Sequence, residues 1–134
     1  MSSGILFVLG LLFVFGSDRI VGPFTRWVRE QSQVSSEKLY PHVPSGLLGT
    51  FERALAFVLV AFAVPQTGTI LIAWLAAKLA ANWQRREGSG NDKEDAIVRA
   101  NTFIALMGGV LSLGLGALGG LIAGYGLGNY GSVE

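Results

Sequence analysis

The chain has 134 residues, a length suited to one domain, with 51% hydrophobic and only 14% charged residues, a net charge of +1 and no cysteine. An ordinary soluble domain carries roughly 25% charged residues, so lipid is the expected solvent, and a net charge this small supplies no basic field to hold nucleic acid. The lack of cysteine excludes disulfides and thiolate metal sites.

The N-terminal residues Met1-Ser2-Ser3-Gly4 contain no lysine or arginine, and no small-x-small cleavage motif leads into a soluble domain. Residues 4–22 therefore read as a membrane helix rather than a signal peptide. Its unbroken apolar core, Ile5 to Phe15, is eleven residues long, short of the ~20 that a perpendicular span needs. Asp18, Arg19 and Ile20 must complete it at the interface.

Pro23 suits the first turn of a new helix because its ring presets φ and it has no N–H to leave unpaired. A short interfacial helix is expected over 23–34, with Phe24, Trp27, Val28 and Val34 near one stripe and Arg26, Arg29, Glu30 and Gln33 pointing elsewhere. The segment Tyr40-Pro41-His42-Val43-Pro44 is too rich in proline for helix and reads as loop. Its histidine has no cysteine or carboxylate cluster beside it, so no metal site or cofactor is expected.

From Ser45 to Trp83 the chain is apolar except for the turn signal Pro65-Gln66-Thr67-Gly68. This divides it into helices over 46–64 and 68–84, with a re-entrant hairpin as the alternative. The charged, glycine- and serine-rich residues 85–97 read as a mobile loop, and a last helix is expected over 98–127. The fold class is all-α: a polytopic helical membrane protein with about four membrane-embedded helices and one interfacial helix, in a single domain.

The basic residues test this division. All ten, Arg19, Arg26, Arg29, Lys38, Arg53, Lys78, Arg85, Arg86, Lys93 and Arg99, lie in the first or third loop or at adjoining helix ends. Lysine and arginine are retained on the cytoplasmic side. Loops 23–45 and 85–100 are thus expected in the cytoplasm and both termini outside, with a bacterial inner membrane as the location.

Two features carry functional expectations. Gly108, Ser112, Gly116, Gly120, Gly124 and Gly128 recur at every fourth position, a helical face on which another backbone can approach closely, as helix association in lipid requires. Further glycines at Gly109, Gly114, Gly119 and Gly126 imply two packed surfaces and favour a homo-oligomer or a subunit of a membrane complex. The second feature is polar. Glu52 lies fourteen residues before Gln66 and Lys78 twelve after it, so antiparallel helices bring them to one depth, where they should pair. Arg53, Arg99 and Asn101 are expected at the same level, forming a cytoplasmic-side belt whose candidate ligand is an anionic lipid. Asp18 and Arg19 read as the exit of the first helix.

The function that follows first is a non-enzymatic assembly subunit or scaffold acting through the glycine ladder. The alternative is a small oligomeric transporter or channel using Glu52 and Lys78, and the third reading is a lipid-headgroup enzyme with Glu52 as acid/base. No nucleotide loop, nucleophile elbow or zinc motif occurs in the sequence.

Overall fold

In a computed structural model of the protein, which describes residues 3–32, 45–84 and 92–131, the chain is all-α, with no strand among the described residues. Five helices follow in order: α1 (Ser3–Gly16), α2 (Asp18–Gln31), α3 (Ser45–Ala61), α4 (Thr67–Gln84) and α5 (Asp92–Leu127). Two stretches, Ser3–Gln31 and Asp95–Leu127, are long and apolar enough to cross a membrane; Thr67–Ala81 is apolar but shorter.

The first helical stretch divides at Ser17, not at Pro23 as its sequence led one to expect. The Ser17 hydroxyl donates back to the Phe13 carbonyl, a bond that competes with the helix ladder and bends it. Pro23 instead lies inside α2. Gly22 before it has no Cβ to clash with the proline ring, and the Thr25 hydroxyl donates to the Val21 and Gly22 carbonyls at 3.0 Å. The expected interfacial helix is therefore the continuation of the first one. Its last residues, 33 and 34, and the His42 loop lie outside the described residues.

The 36 residues of α5 form a rod of about 54 Å at ~1.5 Å per residue along which the other helices are arranged. It starts at Asp92, earlier than expected, so residues 92–97 are helix. The acidic Asp95 in its first turn favours this start through the helix dipole. Residues 85–91 of the anticipated loop lie outside the described residues.

Packing on α5 is most extensive for α3 and α1, and least for α4. Along α3 the neighbours are Gly49 with Ser112, Arg53 with Gly116, Phe57 with Gly120 and Ala61 with Gly124. Each pair is 63 residues apart, which makes the two helices parallel and in strict four-residue register. Along α1 and α2 the order reverses: Gly126 meets Ser3 and Leu6, Gly119 meets Gly10 and Val14, and Gly108 meets Thr25. These helices run antiparallel to α5.

The glycines of α5 thus serve two faces within one chain. A Cβ at Gly116 would stand against the Arg53 carbonyl with the Arg53 Cα only 2.8 Å away, and one at Gly119 would lie 2.9 Å from the Gly10 carbonyl. Gly128 belongs to neither face. Its φ of 78° places it in the left-handed region where glycine ends helices, and Gly128 N–H donates to Tyr125 O while Asn129 N–H donates to Gly124 O, as a Schellman cap requires. Beyond this cap the Tyr130 hydroxyl donates to the Val60 carbonyl and the Asn129 amide to Ala61 O at 2.8 Å. Carbonyls at the end of α3, which helix geometry leaves without helical donors, are satisfied in this way. Val14, Phe57, Ala61 and Ala123 form the apolar core, flanked by Phe7 and Leu11.

Candidate functional site

Below that core, α3 carries its two ionisable residues side by side. Neighbours on a helix point about 100° apart, so Glu52 faces α4 while Arg53 faces the α1–α2 junction. Both are buried at 1% exposure. The Glu52 carboxylate accepts from Lys78 Nζ at 2.6 Å and from Trp74 Nε1 at 3.3 Å. The Arg53 guanidinium donates to the Asp18 carboxylate, and its Nη2 also reaches Thr50 Oγ1 at 3.1 Å.

Gly109 makes room for the first pair. A Cβ there would sit 2.8 Å from Lys78 Nζ and 3.4 Å from both Glu52 oxygens. The aromatic ring of Trp74 closes the same site by packing on Phe51 at 5.5 Å between centroids. Two positive and two negative groups therefore share one level of the bundle, and the quartet is neutral. Removing ions from water costs several kcal/mol each unless they are paired and hydrogen-bonded, and here every charge faces its opposite.

The two pairs differ in enclosure. Glu52 and Lys78 are at 1% and 13% side-chain exposure, whereas Arg53 and Asp18 are at 1% and 59%. Asp18 thus holds a fully enclosed cation from the outside. Two polar atoms next to it are buried without a hydrogen-bond partner, Arg53 Nε and Ser112 Oγ.

The structure assembles the expected belt residues unequally. Glu52, Arg53 and Lys78 lie at the level of Gly109 to Gly116. Asn101 is buried but eight residues earlier on α5, about 12 Å away at ~1.5 Å per residue, and Arg99 is exposed. Neither joins the quartet, because α5 is too long for its first turns to reach the level where α3 and α4 carry their charges. Asp18 and Trp74 were missed as site residues. Asp18 is seven residues beyond Leu11 on the same helical stripe, a signal that its adjacency to Arg19 obscured; Trp74 lies one turn before Lys78 and so shares its face.

Among the described residues no group of three or more His, Cys, Asp or Glu gathers as a metal site. No protein-family model matches the chain, and neither curated proteins nor solved structures provide a significant match to it.

Proposed function

We propose that this chain is a non-enzymatic integral membrane protein with four embedded helices, α1–α2, α3, α4 and α5, acting as a small transport protein whose charged quartet handles an ion inside the bilayer. The helix directions support the four-span arrangement: Ser3, Ala61 and Gly126 share one end, and α3 runs parallel to α5. The basic residues keep away from that end, which favours termini and the Pro65 turn outside and the opposite end in the cytoplasm of a bacterial inner membrane.

The observation that carries the transport reading is the pair of enclosed charges on α3 set between exposed apolar surfaces. Leu47, Leu48, Phe103 and Leu79 lie exposed on the cytoplasmic side of the quartet, and Val58, Phe62, Leu12 and Leu121 on the other. Ionisable groups in such a zone are costly and mark ion or substrate paths.

Reconstituted liposomes provide the test. Under an imposed membrane potential the native protein should dissipate the potential faster than protein-free liposomes, and both Glu52→Gln and Asp18→Asn should reduce that flux at least several-fold. Flux at the protein-free level, or equal flux in all three proteins, sinks the reading.

Assembly is the second reading, favoured by one observation. Gly114 has open space where a Cβ would stand, between exposed Val110, Leu118 and Leu121. The ladder glycines themselves face α1–α2 and α3, so a second subunit would use this outer face of α5. A bare monomer by native mass spectrometry after gentle extraction would remove that support.

A further inference from the structure

We infer that Arg53 and Ser112 form a binding site for a carboxylate-sized anion, which Asp18 occupies as a tethered, displaceable occupant. The inference rests on the transport reading and gives it a substrate class.

Arg53 is permanently charged and enclosed, and its one ion pair among the described residues is to a carboxylate that is 59% exposed. An enclosed cation needs an anion, but it does not need this one. Asp18 opens α2 immediately beyond the bend at Ser17, so a small change at the junction withdraws its side chain without disturbing α3. The unpartnered atoms point the same way. Arg53 Nε is a donor and Ser112 Oγ can donate, each belonging to a residue at 1% exposure. Buried donors without acceptors are rare in native proteins. Ser112 Oγ and Arg53 Nη1 lie 3.3 and 3.8 Å from the position that a Gly49 Cβ would take, so a glycine there keeps a side chain from crowding the Ser112 hydroxyl and the guanidinium.

The Asp18 side of the pair is the accessible one. Asp18, Gly22, Arg26 and Arg29 follow one helical stripe of α2, and Gly22 meets nothing within 4 Å of its Cβ position. On α3, Gly46 shares the stripe of Gly49 and Arg53 and also meets nothing within 4 Å of its Cβ position. α2 carries Arg19, Arg26 and Arg29 against Asp18 and Glu30, a basic excess of one that raises the local concentration of anions. An anion arriving there meets cations first and then donors lacking acceptors. The same chemistry fits a free carboxylate or phosphate and the phosphate of a lipid headgroup.

The full chain in neutral detergent tests this with acetate and phosphate as probes. Asp18→Asn removes the tethered competitor while keeping its shape. Because a tethered group acts at an effective concentration of millimolar order, acetate should bind this variant about tenfold or more tighter than the native protein. The readout is the thermal midpoint against matched sodium chloride, and Arg53→Met added to Asp18→Asn should abolish the response. Should Asp18→Asn not fold, the native protein's own midpoint must still rise with acetate or phosphate, and Ser112→Ala must weaken that rise. A response to free acetate or phosphate identifies a soluble anion. Retention of phosphatidylglycerol in native mass spectra, dependent on Arg53 and resistant to both anions, identifies a headgroup. No anion response and no Arg53-dependent lipid overturns the site. Since binding is read without flux, loss of this site with flux intact rejects the substrate class alone, whereas binding without flux rejects transport.

Discussion

Helices α3 and α4 are neighbours in sequence, nearly equal in length and both predominantly apolar, yet the bundle holds them by different means. α3 lies in the α5 ladder with backbone against backbone, Arg53 over Gly116 and Phe57 over Gly120. α4 has few neighbours on α5 and is attached through side-chain tips: Lys78 and Trp74 on Glu52, and Trp74 on Phe51. On the membrane reading proposed above there is no hydrophobic force between helices, so close approach and polar contacts divide the task of association. One helix uses the first and the other the second.

The largest effect should come from breaking the polar attachment. Lys78→Met leaves Glu52 enclosed without its cation, which should cost about 3 to 5 kcal/mol in denaturant unfolding from micelles and raise hydrogen exchange in α4 more than in α3. Adding Glu52→Leu should recover most of the loss, because an apolar pair of similar volume replaces a buried ion pair at little cost. If the double variant is as unstable as Lys78→Met, the charges are not what holds α4.

A smaller effect sharpens the other side of the comparison. Gly116→Ala pushes a methyl group into the Arg53 backbone and should cost about 1 to 3 kcal/mol. Gly114→Ala, whose methyl meets open space, should instead gain up to about 1 kcal/mol from helix propensity. Equal responses at the two positions, measured by unfolding in the same detergent, would mean that the ladder does not depend on close approach.

The smallest effect concerns the hinge between the two helices. Ala63, two residues beyond the end of α3, has a φ of 48°, and Val64 N–H donates to Leu59 O across it. An L-residue pays in strain of about 1 kcal/mol in this region, so Ala63→Gly should raise the thermal midpoint slightly. A fall would show that the alanine side chain contributes more than its strain costs.

Parts of this arrangement are legible in the sequence, and the rest is not for physical reasons. Four-residue spacing of small residues is a property of one helix, so the capacity of α5 for close packing was legible. Which helices would take its faces was not, because Gly10, Gly49 and Ala61 are unremarkable within their own segments. Gly128 illustrates the limit: spacing counted it with the ladder, while its positive φ and the bonds around it make it a cap. Glu52 and Lys78 could be brought together by equal distance from the Pro65 turn. Arg53 and Asp18, 35 residues apart on helices joined by a long connection with no single turn from which to measure equal depth, could not.

What the sequence by itself determined is local: a predominantly helical chain, long apolar stretches, a turn at Pro65 and a glycine face on the last helix. These follow from backbone sterics, side-chain solvation and 3.6-residue geometry, each acting within a few turns. Only the tertiary structure decided that α5 is shared by α3 and α1–α2, that Asn101 and Arg99 stay away from the quartet, and that an exposed aspartate holds an enclosed arginine. Such pairings depend on how far each helix slides along α5, and that register is set by contacts between segments remote in the chain.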